Sequence, residues 1–172
     1  MEEIYFIAAF VACFVTYVLH TESHYSSGKG KKPRFPERFI EISVMVGYLA
    51  WFSMMFSDPL KMLPYPSFQT PAGIIIGVAG ILVIAKAHKQ KDGFSETDKL
   101  VTTGMYSKIR HPIYFGMMLA YIGFPIASGS MMTLASAVVW GVFALAWKRW
   151  EEKGLVKRFG NEYIEYKKKT LF

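Results

Sequence analysis

Residues 113–147 read IYFGMMLAYIGFPIASGSMMTLASAVVWGVFALAW, a stretch with no charged side chain, interrupted by Ser128-Gly129-Ser130. In lipid a chain has to satisfy its own backbone polar groups, so two apolar runs joined by a tight turn read as an antiparallel helical hairpin. Outward from this hairpin, apolar runs also cover 4–19, 39–56 and 71–87, giving five with 113–127 and 131–147. Crossing a ~30 Å core takes about 20 helical residues, and the first three runs approach that with their flanks. The run 113–127 spans only about 22 Å at ~1.5 Å per residue, so it either packs against protein at depth or extends toward His111. With 52% hydrophobic and 19% charged residues in 172, the chain is too apolar for a small soluble domain. The expected fold is all-α: an integral, multi-pass membrane protein with five transmembrane helices, a C-terminal helical hairpin and an amphipathic tail.

The charges orient these helices. Of the 20 Lys and Arg residues, Lys61 alone falls between the second and third runs; the others lie before the second run, from the end of the third (Lys86) to the fourth, or after the fifth. Positively charged loops stay in the cytoplasm, which places the N-terminus outside and the C-terminus inside. Trp147 and Trp150 flank Lys148 and Arg149, as interfacial indoles and snorkelling cations do. The formal charge of +7 therefore reads as topology and attraction to anionic membrane lipid, and nucleic acid is excluded as a partner because the basic residues lie between long apolar runs. The stretch 26–33 reads as flexible and basic, without a phosphate-binding glycine pattern. Cys13 is the only cysteine, which excludes disulfide frameworks and cysteine-built metal sites. Glu2 and Glu3 argue against a cleavable signal peptide.

Two polar segments carry chemistry. In 100–116, LVTTGMYSKIRHPIYFG, Gly104 allows a tight turn and Pro112 suits the first turn of a helix, where its missing N–H costs nothing. His111 then sits at a helix N-terminus, where N–H groups receive an anion and the imidazole is expected to lose proton affinity. In 147–168, WKRWEEKGLVKRFGNEYIEYKK, Glu151 and Glu152 stand in a cationic cluster at a membrane edge. Their simplest partners are Lys148 and Arg149. Phe159, Tyr163 and Tyr166 share one face of an amphipathic helix lying on the bilayer or on the protein. His88 reads as a helix-end cation, and the i,i+4 pair His20 and His24 lacks the further ligands a metal needs. No metal site is expected.

The pattern formed by Leu100, Val101, Gly104, Tyr106, Arg110, His111, Pro112, Tyr114 and Gly116, then Glu151, Glu152, Phe159, Gly160, Glu162, Tyr163 and Tyr166, resembles the isoprenylcysteine carboxyl methyltransferases and their prokaryotic homologues. It is similar, more distantly, to the phospholipid N-methyltransferases. The resemblance covers roughly the last 75 residues, with the first three helices matching in number and topology. It implies one membrane methyltransferase domain over 1–172, with three N-terminal helices in 1–89 and a cofactor-binding core in 90–172. The implied methyl donor is S-adenosylmethionine, bound from the cytoplasm by Asp98, Lys99, Leu100, Val101, Tyr106, His111, Pro112, Ile113, Tyr114 and Glu151, with a further contact at Gln90 or Lys91.

The sulfonium of such a donor is already reactive, so the protein's task is alignment and exclusion of water. The implied acceptor is lipophilic and enters from the bilayer: a prenylcysteine-like carboxylate, or alternatively a phospholipid or other amine. The family's carboxylate-binding arginine, four residues before the first Glu of the pair, is here Trp147, which makes no bidentate clamp. Trp147, Lys148 and Arg149 are the candidate substrate-binding residues. A sterol-type membrane reductase would need cationic contacts for a dinucleotide, and a non-catalytic scaffold would need only the helices. For a prokaryotic chain the location is the cell membrane. The orientation predicts that a reporter fused after Phe172 reads cytoplasmic and one placed at Lys61 reads external; a cytoplasmic Lys61 overturns the five-span topology.

Overall fold

The computed structural model describes residues 1–62, 67–91 and 99–172. Its helices are α1 (Glu2–Gly28), α2 (Glu37–Ser57), α3 (Gln69–Gln90), α4 (Pro112–Ser128), α5 (Met131–Phe159) and α6 (Asn161–Lys169), with a 3-10 turn over Gly104–Ser107. Helices α1, α2, α3 and α5 are each long and apolar enough to cross a membrane, whereas α4 is an apolar helix of 17 residues. Large apolar side chains face outward along all four long helices, among them Ile7, Leu49, Leu82 and Val142. That is the surface of a protein dissolved in lipid, so the chain is an all-helical membrane protein.

Several helix ends follow from local chemistry. Pro112 opens α4, and Gly129, in the left-handed region at φ 63°, ψ 27°, closes it. Ser130 then starts α5, so the turn at 128–130 joins two antiparallel helices. The stretch 26–33 differs from its expected flexible form, because α1 continues through Ser26 and Ser27 to Gly28. Gly28 lies against the backbone of Trp150, where a Cβ would approach the carbonyl oxygen to 2.6 Å.

Helices α3 and α4 meet along a seam of glycines. A Cβ on Gly80 would lie 2.5 Å from the Gly116 carbonyl oxygen, and one on Gly123 would lie 2.3 Å from the Gly77 nitrogen. Lipid tails are as apolar as leucine, so helices in a membrane gain by close backbone approach, which small residues permit. The spacing Gly73, Gly77, Gly80 puts these positions on one face of α3. Short α4 is thereby held against α3 over its length. On the other side α5 packs against α1, and between them lies an aromatic core containing Tyr17, Trp51, Tyr121, Trp140 and Trp147.

At the end of the bundle reached by the α2–α3 connection, Asp58 is 2% exposed and accepts hydrogen bonds from the Thr133 N–H and hydroxyl, both at 2.8 Å. Lys61 donates to the Met55 carbonyl at 2.6 Å and to the Ser130 hydroxyl at 2.9 Å. These bonds fasten α2 to the α4–α5 turn.

The seam predicts a selective packing defect. Gly123→Ala should destabilise the protein by about 1–3 kcal/mol, because its methyl meets α3 backbone that cannot rotate away. Gly141→Ala, whose Cβ would have Met118 Sδ at 3.5 Å as its nearest neighbour, should be neutral. Thermal unfolding of both variants in one detergent checks this; equal midpoints would remove the seam as a determinant of packing.

Candidate active site

The polar end of the molecule is assembled around α5. This helix continues for three turns beyond 131–147, which carries Glu151 one turn past Trp147 on the same face and Glu152 about 100° away. Glu151 Oε2 accepts a hydrogen bond from the Tyr114 hydroxyl at 2.9 Å, and its Oε1 lies 3.5 Å from Lys91 Nζ. Glu152 pairs with Arg110 Nε at 3.3 Å and Lys167 Nζ at 2.5 Å. The imidazole of His111 sits between the two acids, with Nδ1 3.6 Å from Glu151 and Nε2 3.4 Å from Glu152. The expected pairing with Lys148 and Arg149 is therefore corrected: Lys148 Nζ lies over the Phe172 ring at 4.1 Å, and Arg149 is exposed.

His111 is 5% exposed and precedes Pro112 as the N-cap of α4, which has no side-chain cap. The N–H groups of that first turn are thus left for another partner. Burial pulls the His111 pKa down, but the carboxylates of Glu151 and Glu152 outweigh it and hold the group above its ordinary 6.5. The helix-end expectation of a lowered proton affinity is corrected by these two acids, which arrive from α5.

The loop ahead of α4 is tied to the end of α3. Gly104 has φ +61°, and a Cβ there would come within 2.3 Å of the Gln90 amide. The Met105 N–H donates to Gln90 Oε1 at 2.9 Å. Tyr106 is buried, and its carbonyl accepts the Tyr166 hydroxyl at 2.6 Å. Tyr163 is 1% exposed, so the aromatic face of α6 rests on the protein. The last residues close the arrangement: the Leu171 N–H donates to the Lys108 carbonyl at 2.8 Å, the Arg110 N–H donates to the Leu171 carbonyl at 3.0 Å, and the Phe172 ring stands edge-on to His111.

Of the residues read from sequence, Gln90, Lys91, Tyr106, His111, Pro112, Tyr114 and Glu151 thus come together through the loop, α4 and α5. Ile113 packs against the aromatic core. Lys99 is exposed and Leu100 and Val101 are half-buried ahead of the 3-10 turn; Asp98 lies outside the described residues. Trp147 is 2% exposed and turned away from lipid: its indole N–H donates to Thr21 Oγ1 at 2.7 Å, and its ring meets Tyr17, His20 and His24. The sequence reading missed that α1 brings His20 and His24 beside the acids; their i,i+4 spacing was the available signal, but nothing in it named α5 as the neighbour.

Residues 70–162 match the model of a family described as phospholipid methyltransferase. Protein-S-isoprenylcysteine O-methyltransferase from Schizosaccharomyces pombe is 38% identical over 73 residues, which are 41% of this chain and 30% of that protein. The Homo sapiens protein of the same name is 36% identical over 85 residues, 48% of this chain and 30% of its own length. Methanethiol S-methyltransferase 1 from Bradyrhizobium diazoefficiens is 29% identical over 66 residues, 38% of this chain and 22% of that protein. The matched region thus spans less than a third of each of these relatives. No solved structure matches the chain.

The position of His111 predicts a pH dependence. Its pKa is raised in the fold, so the stability it adds is complete below its ordinary 6.5 and is lost as pH rises through the higher folded value. The thermal midpoint should fall as pH rises above the ordinary histidine range, and Glu152→Gln should make that fall shallower. An unchanged slope in the variant would take Glu152 out of the pairing.

Proposed function

Since the chain belongs to the phospholipid methyltransferase family, we propose that it transfers the methyl group of S-adenosylmethionine to a lipophilic acceptor that reaches the protein through the membrane. The observation that carries this reading is the convergence of Glu151, His111, Tyr114 and Lys91 at the polar mouth of an otherwise apolar helical bundle. All four residues lie within the stretch matched to the family.

The chemistry of this site fits the donor. Glu151 keeps a partly open carboxylate, 26% exposed, suited to the donor's ammonium and sulfonium charges. The uncapped first turn of α4 offers N–H groups to its carboxylate. His111 stays between the two acids, its Nε2 3.4 Å from Glu152, and so keeps the carboxylate pair in place beside the donor. Gln90, Tyr106 and Ile113 give amide, aromatic and aliphatic walls for the adenosine, with the 99–101 stretch beside them. When bound, the donor supplies a methyl carbon already activated by its sulfonium.

The protein's part is then positional. Glu151 fixes the donor's positive end, and its own orientation is fixed by Tyr114 and Lys91. The Phe172 ring stands against His111 at this mouth, and shielding there would restrict hydrolysis and help hold the reacting atoms in line. The acceptor approaches from the apolar side, by way of the helices. The relatives named for isoprenylcysteine support a carboxylate acceptor, and a carboxylate needs no general base before it attacks. The same reading takes 1–172 as one unit with five spans, α4 being the short one, and places the acid-bearing end in the cytoplasm.

Glu151→Gln preserves shape and removes charge. It should weaken donor binding by roughly 10- to 150-fold, the equivalent of about 1.5–3 kcal/mol for a charge-assisted hydrogen bond. Calorimetry on the folded variant decides; unchanged affinity would return Glu151 to a purely structural role.

A further inference from the structure

Behind Glu151 the rings continue inward as a column. His111 stacks on Tyr114 with centroids 5.6 Å apart and planes at 17°. Tyr114 meets the edge of His24 at 6.3 Å, and His24 lies flat on Trp147 at 5.5 Å and 17°. His20 completes the group, edge-on to both Trp147 and His24. The Nε2 atoms of His20 and His24 are 3.0 Å apart, which is a hydrogen bond with one shared hydrogen. His20 Nδ1 is buried without a hydrogen-bond partner among the described residues.

An acceptor whose reacting atom meets a donor held by Glu151 must place its head group in this region. The chain has an indole at Trp147, so position 147 contributes no cation. The neighbouring cations are turned elsewhere: Lys148 over Phe172, Arg149 outward, Arg110 and Lys167 onto Glu152, and Lys91 onto Glu151. Among the described residues, the imidazoles of α1 remain at this level to meet an anion.

We propose that His24, oriented by His20 and flattened against Trp147, receives the carboxylate of the acceptor. The inference rests on the reading of the site as a methyltransferase centre and names the residue that selects its acceptor. A neutral pair sharing one hydrogen between its Nε2 atoms leaves one lone pair and one N–H at the two outer nitrogens. On taking up one proton, His24 donates through Nε2 to His20 and through Nδ1 to the incoming anion, so a carboxylate arriving from the membrane brings the charge that makes protonation of the pair favourable. His20 is a positioning residue; His24 is the binding residue.

The charged and titratable groups facing His24 from neighbouring elements are Glu151 on α5, Lys91 at the end of α3, His111 ahead of α4 and Tyr114 within α4. Burial opposes the protonated ring most, Glu151 favours it, and Lys91 and His111 oppose it, so the charge of the arriving carboxylate is what the proton needs. In the transfer step a carboxylate oxygen forms the new C–O bond, the donor's C–S bond breaks, and its electron pair stays on sulfur as a neutral thioether. The resulting ester carries no charge. The imidazolium then loses its partner and returns its proton, which favours release of product over rebinding.

The test uses purified full-length protein in one detergent, with S-prenylated N-acetylcysteine as the carboxylate probe and a long-chain amine and a long-chain thiol as uncharged or protonated counterparts. Donor affinity is measured separately by calorimetry. For the wild type, KM for the carboxylate probe should rise with pH, because binding the anion takes up a proton. His24→Phe should raise that KM by about 10- to 100-fold, leave donor affinity unchanged and abolish the pH trend. Adding Trp147→Arg to His24→Phe should recover much of the loss, because it supplies a cation one ring away. His24→Gln keeps a polar side chain and guards against a mere packing defect. An unchanged KM in folded variants overturns the proposal, as does a wild type that methylates the amine or thiol but not the carboxylate, or a rate that climbs with pH as for a general base. A wild type that fails to bind the donor overturns the methyltransferase reading itself.

Discussion

Two adjacent carboxylates at the edge of a membrane cannot stay charged unless cations come to them, and the polar end of this protein is organised by that requirement. Neighbouring residues on a helix point about 100° apart, so Glu151 and Glu152 collect partners from different directions. Glu151 draws in Lys91 and Tyr114, which fixes the end of α3 and the start of α4. Glu152 draws in Arg110 and Lys167, which fixes the loop and α6. His111 lies between them and is shared. Four elements, the end of α3, the start of α4, the loop between them and α6, are thereby held to one helix, and the ligand-binding candidates inherit their geometry from it.

The same requirement separates what the sequence could reveal from what it could not. Helix hairpin, turn at Gly129 and helix start at Pro112 depend on local chemistry, and all are readable from residues within a few positions of one another. The grouping of His111 with Glu151 was accessible only through the resemblance, because the 39 intervening residues must fold into a hairpin before the two meet. Partners chosen by local spacing, Lys148 and Arg149, proved wrong for the reason that Lys91, Arg110 and Lys167 approach from other elements. The glycines at 73, 77 and 80 were visible as letters but unread, since their meaning depends on which helix lies opposite. His24 was read against a metal site because α1 has no motif in common with the recognised pattern. The seven residues 92–98, with Asp98 among them, lie outside the described structure.

Trp147 has a structural duty that explains its burial independently of chemistry. Its ring spans from Tyr17 on α1 to Tyr114 on α4, and its N–H reaches Thr21, so it braces the gap between the apolar core and the polar mouth. An arginine there would face aromatic rings on several sides. The chain therefore divides between neighbouring helices what a single long cation would do alone, with a bulky neutral side chain on α5 and ionisable imidazoles on α1.

The shortness of α4 also matters beyond packing. Its 17 residues rise only about 25 Å, several ångströms less than the hydrocarbon they lie in. In the proposed five-span arrangement, a deficit taken up at the polar end of α4 sets the ledge bearing His111 below the level that the longer helices reach. A soluble reagent and a lipid head group would then meet within the zone of acyl-ester carbonyls and sparse water. Such a recess relieves the lipid of the need to leave its leaflet: it has only to slide sideways, while the surrounding bilayer thins slightly to follow the protein. On that arrangement membrane thickness becomes a variable of the proposed methyl transfer, one that an organism alters whenever it changes the length of its fatty acids.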